Sequence, residues 1–93
     1  MKLISVKKSD AKHKKFSAIF EKNGKRKIVN FGDNRYTDFT IGATDEQRKA
    51  YRARHATGAN APADTPNALS YHILWNTRSR SKNIEIFKNK YNV

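Results

Sequence analysis

Three histidines and a group of aspartates are the side chains in this sequence that could do chemistry. His13, His55 and His72 invite a metal site or acid/base work, and Asp33, Asp38 and Asp45 could be imagined as ligands of a hard cation. The surroundings argue against both. His13 lies among lysines, whose charge opposes both protonation and a divalent ion. His72 sits on the apolar stripe of a predicted helix, where a hydrogen-bonded core histidine is the ordinary role. Only His55 has company, from Asp33 and Asp38, if the loop that bears them returns to the helix. Calcium loops space their ligands every second residue around a glycine. Here the aspartates are five and seven residues apart with an arginine between them. Asp33 therefore reads as a turn residue after Gly32, and Asp38 as the partner of Arg48, Arg52 or Arg54. With no cysteine, no serine set between glycines and no glycine-rich phosphate loop, no nucleophile stands in a recognisable setting. The expectation is a protein without catalysis, metal or cofactor.

Charge is the stronger signal. Twenty Lys and Arg against eight Asp and Glu give a formal charge of +12, enough to draw the chain toward polyanions while costing it folding energy through self-repulsion. Residues 1–31 carry ten basic and two acidic side chains, and the remaining 62 carry ten and six, so the N-terminal end is the positive pole. Lys14, Lys15, Lys25, Arg26, Lys27, Arg48, Lys49 and Arg52 are the candidate contacts to an acidic partner. Asp33, Asp38, Tyr51, Arg54, His55 and Trp75 are assigned structural roles. If the partner is nucleic acid, Tyr36 or Phe39 would be exposed to stack on bases.

Ninety-three residues make one domain. From Lys14 to Phe31 two β-rich runs flank Asn23 and Gly24, the signature of a hairpin with a type I′ turn. A two-residue turn sets Glu21 opposite Arg26, Ile19 opposite Ile28, Ala18 opposite Val29 and Phe16 opposite Phe31. Phe16, Ala18, Phe20, Val29 and Phe31 then form the core face, with the Lys27 stem lying on Phe20. Lys2 to Val6 is a candidate third strand. Residues 32–43 form a loop. Thr44 and Gln47 make a capping box for a helix over 45–56, with Gly58 as its C′ residue and Tyr51 as its core contact. Thr65 caps and Pro66 opens a second helix over 66–76, carrying Ala68, Tyr71, His72 and Trp75 inward. A third helix over 80–91, capped by Ser79, turns Ile84, Phe87 and Tyr91 inward. The class is α+β: a basic antiparallel hairpin packed on two or three helices. No apolar run approaches the roughly 18 residues of a membrane span, and the expectation is a soluble chain used inside a cell or a particle.

Phe31, Gly32, Tyr36, Asp38, Phe39 and Thr40, then Arg48, Tyr51, Arg52, Arg54 and His55, then Leu69, Ser70, Tyr71, Leu74, Trp75 and Asn76, resemble in order and spacing a small uncharacterised family of large nucleocytoplasmic DNA viruses, chlorovirus and mimivirus relatives among them. The resemblance covers residues 14 to 91. It implies a giant-virus setting, hence a virion component present in the host cytoplasm or virus factory during assembly. One departure is Gly42, where the family usually has a histidine. The resulting expectation is a minor structural or capsid component that binds acidic surfaces of other virion proteins. The alternative is nonspecific binding of DNA or RNA in genome packaging, and neither involves a membrane or a small-molecule substrate. A metal ion or a substrate-sized cleft lined by His55 and the nearby carboxylates would overturn the expectation of a framework that performs no chemistry.

Overall fold

Asn23 and Gly24 both take positive φ, 53° and 77°, which is what a type I′ turn demands of its two central residues. This turn fixes everything around it. In a computed structural model describing residues 1–93, β2 (Lys14–Lys22) and β3 (Lys25–Asp33) pair antiparallel with Glu21 opposite Arg26, Ile19 opposite Ile28, Ala18 opposite Val29 and Phe16 opposite Phe31, the register the sequence predicts. β1 (Lys2–Lys8) joins the free edge of β2, giving a three-stranded meander in the order β1-β2-β3. Leu3 opposes Phe20 while Ser5 opposes Ile19, so Ile4 is an extra residue that bends the edge strand.

Three helices follow the sheet. α1 (Asp45–Arg54) opens on the predicted capping box, Thr44 Oγ1 accepting from the Gln47 N–H at 3.0 Å and Gln47 Oε1 from the Thr44 N–H at 2.8 Å. It ends at His55, earlier than predicted, and Gly58 is not its C′ residue. Gly58 lies in the 3-10 turn Ala56–Ala59, where a Cβ would come within 2.8 Å of Asn67 Oδ1 and Tyr71 Cβ. It is there because the next helix leaves no room for a side chain.

α2 (Pro66–Leu69) is capped by Thr65 as expected, but it does not continue as an α-helix to residue 76. Ser70–Leu74 widens into a π-helix. Leu69, Tyr71, Ile73, Leu74 and Trp75 are all buried, so this segment has no solvent-facing arc of the kind that an amphipathic α-helix presents. The carbonyls at its end are met by side chains. Asn83, with no exposed surface, donates from Nδ2 to the Ile73 and Thr77 carbonyls at 2.8 and 2.9 Å, and its Oδ1 accepts from the Thr77 N–H and hydroxyl. α3 (Arg80–Tyr91), capped by Ser79, carries this asparagine and Phe87 against the π-helix. Leu3, Ala18, Phe20, Val29 and Phe31 from the sheet and Leu69, Ile73, Leu74 and Phe87 from the helices close one core.

His72 is half-buried, its Nε2 3.0 Å from the Ala59 carbonyl and its ring edge-on to Tyr91. Burial holds it below its ordinary value of 6.5, with the Ala59 carbonyl pulling the other way.

Two outcomes follow. Asn83→Ala takes the side-chain partner from the buried Ile73 carbonyl and from the half-buried Thr77 carbonyl and N–H, while the Thr77 hydroxyl keeps Ser79, and is expected to cost about 3 kcal/mol in denaturant unfolding. Asn83→Asp, which keeps the shape but removes the donor, is expected to cost as much. Below pH 6.5 the unfolded chain takes up a proton that folded His72 resists, so the stability His72 contributes is whole above 6.5 and is lost as the pH falls toward its lower folded value. Thermal melts between about pH 7 and pH 5 read that loss, and His72→Gln should flatten it.

Candidate functional site

Gly32, near the end of β3, has a φ of 77° and sits so close to Leu74 that a Cβ would stand 2.9 Å from its Cδ1. The chain therefore leaves the sheet toward the helices, and Asp38 is carried inward. With 1% of its surface exposed, Asp38 needs partners for its charge. Oδ1 accepts from the Thr40 N–H at 2.8 Å and the Thr40 hydroxyl at 2.5 Å, while Oδ2 pairs with Lys15 Nζ at 2.5 Å. The sequence expectation that one of the α1 arginines neutralises Asp38 is thus corrected: the cation comes from β2. Lys15, predicted to contact a partner, is buried at its tip with the carboxylate.

Between this loop, the ends of β2 and β3, α1 and the π-helix opens a cleft of about 800 Å³, within the range of small-ligand sites. Gln47, Ala50, Tyr51, Arg54 and His55 reach it from one stripe of α1, Lys14 from β2, Tyr36 from the loop, and Ser70 and Trp75 from the opposite wall. Trp75, Tyr51 and His55 form one stack: Tyr51 lies 4.3 Å from Trp75 at 8° and 4.1 Å from His55 at 24°. Burial raises the Tyr51 hydroxyl above its ordinary value, which keeps it a neutral donor.

Asp33, Asp38 and His55 do line one cleft, so the condition that would overturn a framework performing no chemistry is met in its geometry. Neither carboxylate is free, however. Asp33 accepts Arg35 Nε at 3.0 Å, Nη2 at 2.8 Å and the Arg35 N–H at 3.0 Å, and these bonds, the side-chain ones first, hold its carboxyl well below the usual range. His55 is held by stacking, with no carboxylate bonded to it. No three His, Asp or Glu side chains come together as a metal-sized group.

The arginines go elsewhere than predicted. Arg48 Nε donates to the Asn76 carbonyl at 2.7 Å, and Arg52 Nη1 to the Trp75 carbonyl at 3.2 Å while its guanidinium covers Tyr71 at 4.3 Å. Both were candidates for an outside partner; both instead satisfy carbonyls just past the end of the π-helix. Arg78 donates to the Ala43 carbonyl and stacks 4.0 Å from Phe39, with Arg48 5.4 Å from the same ring. Phe39 is consequently buried and out of reach of a base, whereas Tyr36 stays 69% exposed. Arg80 covers Phe16, and Arg26 faces Glu21. Arg54, assigned a structural role, is exposed, has no ion-pair partner and lines the cleft.

Among the remaining candidates, Lys14, Lys25 and Lys49 are exposed. Lys27, rather than only reaching water past Phe20, bridges to Asp64 at 2.9 Å and holds that carboxyl below its ordinary value. The Glu21–Arg26 pair follows from the predicted hairpin register, but nothing in the one-dimensional pattern marked the bonds of Lys15 to Asp38, Lys27 to Asp64, Arg48 to Asn76, Arg52 to Trp75 and Arg78 to Ala43, each of which joins residues more than 20 positions apart.

Lys15 and Lys14 make a paired test. Lys15→Met strands a buried carboxylate and should cost about 3–5 kcal/mol in unfolding. Lys14→Met, one residue away and exposed, should stay within about 0.5 kcal/mol.

A model described as a family of unknown function, DUF5754, matches residues 4–55. "Uncharacterized protein L851" of Acanthamoeba polyphaga mimivirus is 35% identical over 81 residues, 77% of this chain and 80% of that protein. No solved structure matches the chain. The matches take in most of the sheet, the aspartate loop and α1, in agreement with the resemblance carried by Phe31 through Asn76, and the chain, similar also to a giant-virus protein, belongs to the DUF5754 family.

Proposed function

We propose that this protein is a non-catalytic, sequence-nonspecific nucleic-acid-binding protein that holds phosphates on its free lysines. The observation that carries this is a division of labour between its two cations. Of the arginines only Arg54 is left without a carbonyl, carboxylate or aromatic ring of the protein itself, whereas Lys15 and Lys27 alone among the lysines form ion pairs. The charge without a partner inside the protein is therefore mainly an array of flexible lysine point charges, with Arg54 the one unpartnered guanidinium. Such an array releases counterions from a phosphate backbone but does not read bases.

The same division weakens the expectation that the chain cements acidic protein surfaces. Protein interfaces are enriched in Arg and depleted in Lys, and paired contacts to carboxylates need the guanidinium fork. Here those forks, Arg54 apart, already have partners within the protein. At the hairpin tip Lys22 faces Lys25 across the Asn23-Gly24 turn, a like-charge pair that is unfavourable alone and relieved by a bridging phosphate. In a giant-virus setting, a genome-associated component of the particle suits these features. Docking on other virion proteins keeps one feature in its favour, the 63% exposed Ile28 on the sheet.

A mobility-shift titration on duplex DNA across salt tests the proposal. Affinity is expected to fall linearly on logarithmic axes with a slope of several. Lys22→Gln with Lys25→Gln should lower both the affinity and the slope, by about one unit of slope for each phosphate left without its lysine. Absence of binding at about 50 mM salt would remove it. Retention of the protein on emptied shells, and not with the nucleoprotein, in particle fractionation would favour docking on protein.

A further inference from the structure

The cleft beneath the aromatic stack is built for a smaller ligand than a duplex. Its two carboxylates are neutralised from within, Asp38 by Lys15 and Thr40 and Asp33 by Arg35, so the charges left to act in it are those of Arg54 and Lys14. Arg54 is the one arginine that the fold does not use, and its guanidinium fork is the group suited to two oxygens of a phosphate. Beside it are two aromatic surfaces open to solvent. Tyr36 is 69% exposed, and His55, also exposed, rests on Tyr51 by one face. Gln47, Asn67 and Ser70 add neutral donors and acceptors to the lining. A volume of about 800 Å³ accommodates a ring system with a sugar and a phosphate.

We propose that this cleft binds one nucleotide unit, its phosphate on Arg54 and Lys14 and its base stacked at Tyr36 and His55. The ligand class rests on the nucleic-acid reading above, while the place rests on the cleft alone. Two sources present this chemistry, a free mononucleotide and the terminal nucleotide of a strand. The lysine surface would hold the backbone of a polymer, and the cleft would take a unit that is not paired in a duplex.

The test is an amide chemical-shift titration of the labelled protein with adenosine monophosphate, and separately with adenosine and with inorganic phosphate. Adenosine monophosphate should move Tyr36, Arg54 and His55 and bind at least about tenfold more tightly than either fragment, since a charged and a stacked contact act together. Arg54→Ala should weaken it at least about tenfold with an unchanged melting temperature, because an exposed, unpartnered side chain contributes little to the fold. Tyr36→Ala should weaken both adenosine and adenosine monophosphate. Lys22→Gln, remote from the cleft, should leave adenosine monophosphate binding unchanged while weakening duplex DNA. A 5′-phosphorylated oligonucleotide that moves the cleft residues at lower concentration than the mononucleotide assigns the site to strand ends; the reverse order assigns it to free nucleotides. Shifts confined to the hairpin lysines, inorganic phosphate matching the mononucleotide, or no effect of Arg54→Ala would each overturn the proposal. The first of these leaves duplex binding standing, and loss of duplex binding with the cleft shifts intact overturns only the lysine surface.

Discussion

One buried carboxylate sets the geometry on which the rest depends. Asp38 has left water almost completely, and a lone charge there would be untenable. Its partners come from two places, Lys15 from the sheet and Thr40 from the 3-10 turn Phe39–Ile41, while the Asp38 backbone carbonyl accepts from the Ile41 and Ala43 N–H groups. Together they bind the loop to β2 and deliver the chain to Thr44, where α1 begins. The cleft exists because this loop is held down at its far end while Gly32 lets it leave the sheet against Leu74.

What could be read from the sequence was local chemistry. The Asn23-Gly24 turn specified the hairpin and, through it, every cross-strand pair down to Phe16 and Phe31. The caps at Thr44, Thr65 and Ser79 marked the three helix starts, because a side-chain acceptor two or three residues ahead of an orphan N–H is a short-range code. Hydrophobic spacing placed Phe87 and Trp75 inside. A short-range code has nothing to say about which cation meets Asp38, and the helical wheel of α1 put Arg48, Arg52 and Arg54 equally within reach.

The π-helix was hidden for a related reason. Ala68, Tyr71, His72 and Trp75 fit a 3.6-residue repeat well enough to imply a regular helix, but a segment enclosed on all sides has no contrast between faces from which to read a period. Asn83 of α3 donates to the Ile73 carbonyl within it, and Arg52 and Arg48 of α1 donate to the Trp75 and Asn76 carbonyls just beyond it, three side chains from other elements that no local pattern announces. The cleft shares this origin. Tyr51, Arg54 and His55 were identified one by one, and their arrangement as a wall facing Trp75 is a property of the assembled helices.

With every arginine but Arg54 engaged by the protein itself and every lysine but Lys15 and Lys27 outside its ion pairs, the two kinds of positive charge respond to different chemistry. Acylation of primary amines removes the charge of lysine and does not touch a guanidinium. Acetylation of the exposed ε-amino groups of Lys14, Lys22, Lys25 and Lys49 would therefore lower the outward charge step by step while the clamps on Trp75, Asn76 and Ala43 stay closed and the architecture stays whole.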